Sequence, residues 1–293
     1  MLSLTKQPLL NGWGLFTLIS LPLCVIMVVE AAQVDLTTPA GVSAMIGYSV
    51  RLSVPLIYIV IATSALQRLF PGTLTSWLLR NRKYVGLCFA VAMAWQALFI
   101  AIMSVGFNNY YYEQVYVLRD EIEGSMGYIF LTFMVLTSFR AFRRYLSTPQ
   151  WRLLHTSGIY FLWAYPFSVY WWNLSYYGNA LWYDYLFYWL GFSAFAVRIA
   201  AWAKQRAKLQ VEPIGNIQKL LGYLLIGLGL ALSATGLQWQ DPITTWLTTP
   251  TWSETLVLWL PFWPFEPFIP LLILGLAATV LTQPLRGLGA VRA

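Results

Sequence analysis

The sequence predicts an all-α fold: a polytopic transmembrane helical bundle of about eight helices. Three observations carry that prediction. Of the 293 residues, 59% are hydrophobic, 17% aromatic and only 10% charged, with a mean hydropathy of +0.62. A soluble domain carries about 25% charged residues, so a globule of this size could not cover its surface with polar groups. Eight apolar stretches approach the roughly 20 residues that a helix needs to cross the hydrocarbon core. Basic and acidic residues alternate between successive connections, as in a chain threaded repeatedly through a bilayer. A soluble enzyme, a disordered chain and a disulfide scaffold are excluded, Cys24 and Cys88 each lying in an apolar segment without a local partner.

The first span, 15–32, follows a single basic residue, Lys6, and lacks a small-residue cleavage site, so it reads as a helix rather than a cleaved signal. The second, 42–66, carries Arg51 about nine residues from its start, roughly 13 Å deep at ~1.5 Å per residue. A charge at that depth is costly alone. Arg51 is therefore expected to face the bundle and pair with Glu30, Asp184 or Glu266, or to form an anion site for a propionate, a quinone oxygen or a lipid phosphate. The third span, 84–105, is the cleanest. The fourth, 126–139, is short, and 127–145 suffices if its arginine end snorkels. The fifth and sixth, 155–172 and 181–203, hold a dense aromatic block from Tyr160 to Tyr183, with Pro166 predicting a kink. The seventh and eighth are 220–236 and 265–281. Asp184 and Glu266 sit at helix ends, where water is expected to reach them.

Charges sort by connection. Arg68, Arg80, Arg82 and Lys83 lie between spans two and three, and Arg140, Arg143, Arg144 and Arg152 between four and five. Arg198, Lys204, Arg206, Lys208 and Lys219 lie between six and seven, and the tail holds Arg286 and Arg292. The alternate connections are acidic, with Arg119 the single base among Glu113, Asp120, Glu121 and Glu123. The basic side is cytoplasmic by the positive-inside rule, which puts both termini inside, as in a bacterial inner-membrane protein. The net charge of +7 is thus a topology signal; nucleic-acid binding needs a contiguous basic face on a soluble element and is not expected. Two outer connections, 108–125 with Tyr110, Tyr111 and Tyr112, and 237–264 with Trp239, Trp246, Trp252, Trp259 and Trp263, read as interfacial loops anchored at headgroup depth.

Most chemistry is absent from the sequence. There is one histidine, His155, and no G-x-S-x-G elbow, Walker loop or dinucleotide fingerprint. No metal site is expected. Any nucleotide-binding or redox domain would belong to a membrane or soluble partner protein, and the other expected partner is the bilayer itself.

Four motifs in spans two to five carry a resemblance. Gly47-Tyr48 with Arg51-Leu52, then Arg82-Lys83-Tyr84-Val85-Gly86-Leu87, then Leu136-Thr137-Ser138, then Trp151-Arg152-Leu153-Leu154-His155 resemble the ferric reductase-like transmembrane domain, nearest its YedZ/MsrQ branch. The resemblance implies a six-helix core carrying b-type haem, with extra helices around it. It divides the chain into an N-terminal extra helix at 1–41, the core at 42–208, and a C-terminal helix pair with the Trp-rich connection at 209–293. It also implies ligand histidines at three positions of this chain. Only His155 is one; the others fall on Gln96, flanked by Trp95, and on Ser168 and Val169, and Thr156 replaces the arginine that usually follows. A bis-histidine haem needs two imidazoles on one iron.

The candidate cofactor-binding positions are therefore His155, Gln96, Trp95, Ser168 and Arg51, and no catalytic residue is assigned. A bundle that has lost a haem must fill the volume. Trp95, Trp163, Tyr165 and Phe167 are the expected filling. The favoured function is a haem-free accessory or scaffold subunit of a membrane complex, with no cofactor. The alternative is an electron-transfer oxidoreductase subunit using a quinone, a flavin or a single b-type haem on His155, in a flat apolar pocket.

Overall fold

The computed structural model describes residues 7–210 and 213–282, so Lys6, Arg286 and Arg292 lie outside the described residues. Among the described residues every regular element is helical and there is no strand. The chain runs through α1 (Trp13–Gln33), α2 (Pro39–Leu69) and α3 (Thr73–Gly106), then a one-turn helix and a π-helical turn, Tyr111–Val115. α4 (Leu118–Leu136), a turn at Arg140–Arg143, α5 (Thr148–Ser175) and α6 (Trp182–Lys208) follow. α7 (Asn216–Ala234), α8 (Gly236–Thr248), α9 (Trp252–Trp259) and α10 (Ile269–Thr282) complete it. The eight apolar stretches fall on α1 to α7 and α10. Five of these, α1, α2, α3, α6 and α7, are long and apolar enough to cross a membrane.

Two expectations about the connections are corrected. The stretch 237–264 is not a loop: it folds into α8 and α9, Pro242 being carried inside α8. The fourth span lengthens at its acidic end rather than its arginine end. α4 begins at Leu118 and stops at Leu136, so Asp120, Glu121 and Glu123 belong to the helix. Two of those carboxylates occupy its first turn, where they complement the helix dipole.

By internal contact the chain divides at Pro166–Phe167 inside α5, with Ser64–Pro71 joining the later part. The first compact unit holds Met1–Thr63 and Gly72–Pro166. In it the segment before α1 is tied to α3: the buried Asn81 accepts from Gly12 N at 2.9 Å and donates to Trp77 O at 3.0 Å, and Trp77 Nε1 donates to Leu10 O at 2.8 Å. Met27, Val42, Met45, Ala92, Phe99 and Met103 form a core between α1, α2 and α3. The α1–α2 turn is tight enough to demand glycine, because a Cβ on Gly41 would lie 2.0 Å from the Asp35 carbonyl oxygen.

The second unit holds Ser64–Pro71 and the chain from Phe167 onward. Here α7 lies close against α10, where a Cβ on Gly222 would meet the Leu281 side chain at 2.4 Å and one on Gly229 the Leu274 side chain at 3.0 Å. In lipid, association of this kind comes from close van der Waals packing rather than from hydrophobic burial. Trp171 and Tyr188 are fully buried beside it, and Tyr188 donates its hydroxyl to Ser233 O at 2.9 Å.

Candidate functional site

In the first unit α2, α3, α4 and α5 do not close on one another. They enclose a cavity of about 450 Å³, within the size range of small-molecule sites. α2 contributes Ile46, Val50 and Val54; α3 contributes Phe89, Met93, Gln96 and Met103; α5 contributes Phe161, Leu162, Tyr165 and Pro166. The α4 wall is low, since Gly124, Ser125 and Gly127 are small. Nothing lies within 4 Å of a Cβ placed on Gly124, and one on Gly127 would make ordinary contact with Leu162 and Phe161 at 3.8 Å.

Polar groups sit at two levels. In mid-cavity the Tyr128 hydroxyl donates to Gln96 Oε1 at 3.0 Å. At the end where α4 begins, Asp120 and Glu121 line the cavity with Tyr111 and Val115 of the π-helical turn. Tyr111 donates its hydroxyl to Glu121. Burial, and then the Glu121 carboxylate, push the Tyr111 hydroxyl above the ordinary tyrosine range. Arg119 Nε lies 3.2 Å from Asp120 and 3.9 Å from Glu123. No lysine, arginine or histidine lines the cavity.

Of the five residues singled out in the sequence, Gln96 alone borders this space. Its neighbour Trp95 turns to α1, donating to Cys24 Sγ at 3.5 Å and stacking on Phe99. His155 hydrogen bonds with Thr137 Oγ1 at 3.0 Å and lies against Trp151, ring centroids 4.4 Å apart. Arg51 places its guanidinium 5.5 Å from the Tyr48 ring centroid. Ser168 is buried in the second unit. Asp184 and Glu266 are not open to water as expected: they are 4% and 0% exposed. Asp184 accepts from Asn173 at 3.0 Å and from Leu181 N at 2.8 Å, capping α6. Glu266 accepts from Thr244 and Tyr176.

The expected aromatic filling is corrected by the open space. Trp95 faces α1, Trp163 does not line the cavity, and Phe167 stacks on Tyr188 at 5.5 Å in the second unit. Successive helix residues are about 100° apart, so only Tyr165 of the four reaches this wall. What the sequence reading missed was the acidic end and Tyr128. The signal available for them was the small residues Gly124, Ser125 and Gly127 following three carboxylates.

The donor set does not fit the haem that the resemblance implies. No imidazole lines the cavity, Gln96 is engaged by Tyr128, and no lysine or arginine borders it to pair with propionates. Among the described residues no three His, Cys, Asp or Glu side chains converge as metal ligands. No family model, curated protein or solved structure matches the chain.

Proposed function

We propose that the chain is a haem-free, multi-pass membrane protein that serves as an accessory subunit of a membrane complex and holds a small lipophilic molecule in the cavity between α2, α3, α4 and α5. The observation that carries this is Gln96: at the position where the resemblance calls for a haem ligand, an amide held by Tyr128 stands in the wall of an open, largely apolar space. The charge pattern favours a bacterial inner-membrane location with both termini cytoplasmic, the acidic end of the cavity then lying on the outer side.

The same open space favours one second reading. A membrane electron-transfer subunit would use the cavity for a quinone or flavin ring, with the Tyr128–Gln96 pair meeting a ring oxygen. One preparation separates the two from a haem carrier. The protein is purified in mild detergent, its absorption spectrum is recorded oxidised and dithionite-reduced, and haem and organic extracts are taken from the same sample. The expected result is no Soret band and a lipophilic molecule in the organic extract. A redox-active ring in that extract selects the electron-transfer reading. Near-stoichiometric haem with a reduced α-band overturns both, and His155→Ala then tests the remaining ligand.

A further inference from the structure

The cavity is chemically asymmetric along its length. One end is walled by Val50, Val54, Phe89, Phe161 and Leu162; the other is bordered by Asp120, Glu121, Tyr111 and Tyr165. The segment 113–123 sets four carboxylates against one guanidinium, and Arg119 is already engaged with Asp120 and Glu123. The first-turn position in α4 accounts for acidic residues on the helix, but not for their facing a cavity with no cation in its walls. Two cations could answer that charge. A bare divalent ion needs several oxygens converging on one point, and no such cluster forms among the described residues. An organic ammonium is weakly hydrated, tolerates a spread of carboxylates, and is attracted by tyrosine rings as well as by charge.

We propose that the ligand of this cavity is a cationic amphiphile, an alkyl ammonium whose head lies between Asp120, Glu121 and the tyrosines and whose tail runs along Val50, Phe89 and Leu162. The proposal rests on the reading of the cavity as a lipophilic ligand site and adds the charge of the head. Such a molecule matches both ends at once. An anionic amphiphile, including a fatty acid or a haem propionate, would set like charge against Asp120 and Glu121.

The test uses the full chain in maltoside micelles and three single-chain probes of equal length: dodecyltrimethylammonium, dodecanol and dodecanoate. Binding is followed by calorimetry and by the shift in thermal unfolding. The ammonium is expected to bind saturably and at least tenfold more tightly than dodecanol, with dodecanoate weakest. Asp120→Asn is expected to reduce the ammonium affinity severalfold and Glu121→Gln about tenfold, while dodecanol is unchanged. Glu121 holds Tyr111 and Asp120 holds Arg119, so the two amide substitutions break different ties, and a loss of ammonium binding common to both with dodecanol unchanged separates the charge effect from a structural one. Gly127→Leu, which projects into the cavity between Leu162 and Phe161, should abolish binding of all three probes. Equal affinity for ammonium and alcohol, or a preference that survives both amide substitutions, overturns the cationic head while leaving the cavity reading intact. Failure of every probe, with Gly127→Leu without effect, overturns the cavity reading itself.

Discussion

The two units use aromatic side chains in opposite ways. In the second, large rings meet glycines: Trp171 stands where a Cβ on Gly236 would lie 2.7 Å from its ring, and Phe268, Phe167, Tyr188, Trp171 and Trp239 follow one another with successive ring centroids within 6 Å. In the first, a Cβ on Gly124 of α4 would meet nothing within 4 Å and one on Gly127 would only touch Phe161 and Leu162 at 3.8 Å, while Phe161 and Tyr165 border empty volume. α5 supplies rings to both, so ring density alone does not decide whether an interior closes. What decides is whether each ring is matched by a small residue across the interface. Protein interiors otherwise pack to crystal-like density, and this unmatched space is the ground on which the ligand proposal stands.

The comparison breaks most visibly at its largest rings. Trp171→Ala should cost about 3–5 kcal/mol, the range for deleting a fully packed aromatic. Phe161→Ala, at a half-buried ring already facing space, should cost about 1 kcal/mol. Thermal unfolding of the two variants in one detergent measures the contrast, and equal losses would mean that the cavity is filled by protein after all. Gly236→Ala should come next. Its added methyl meets Trp171 at 2.7 Å and Ser175 Oγ at 2.8 Å, and overpacking of this kind costs about 1–3 kcal/mol.

Legibility followed the same line. The eight apolar stretches were readable because a backbone in lipid must satisfy its own hydrogen bonds, which leaves helix as the answer wherever hydropathy is high. Helix ends were less readable: α2 and α3 run to 31 and 34 residues, past any bilayer requirement, and α4 takes in carboxylates that looked like loop. The Trp-rich stretch hid α8 and α9 because its prolines and tryptophans signal turns and anchors more strongly than periodicity. At the site, Gln96 was found through the motif that places it, whereas Tyr128, Asp120 and Glu121 were not. A cavity depends on volumes across four helices, and no single stretch of sequence encodes that sum.

A smaller effect tests the polar edge of the closed unit. Tyr176, just past the end of α5, shares the buried Glu266 carboxylate with Thr244. Burial, outweighing the opposing pull of the Thr244 bond, pushes its hydroxyl up to about 12, with Glu266 adding to the rise. The folded state thus favours the protonated phenol. Its contribution is fully present below the ordinary tyrosine pKa near 10 and is lost as pH rises through about 12. Tyr176→Phe should cost about 1 kcal/mol at neutral pH and flatten that alkaline step. Unfolding midpoints between pH 8 and 12 for both proteins measure it, and parallel profiles would remove Tyr176 from the account.

The smallest expected effect differs in sign, and for that reason sharpens the comparison most. Gly127 sits inside α4, where glycine costs a helix about 0.5–1 kcal/mol relative to alanine. At Gly236 that gain is unavailable, because the methyl collides with Trp171. At Gly127 the methyl meets Leu162 and Phe161 at 3.8 Å, ordinary contact, so nothing offsets the gain. Gly127→Ala should therefore stabilise the protein by a few tenths to about 1 kcal/mol, while Gly236→Ala destabilises it. A rise in unfolding midpoint for the first beside a fall for the second is the signature of one open and one closed interior. A fall for both would show that the α4 wall is as tightly matched as the α5–α8 contact, leaving no room for a ligand.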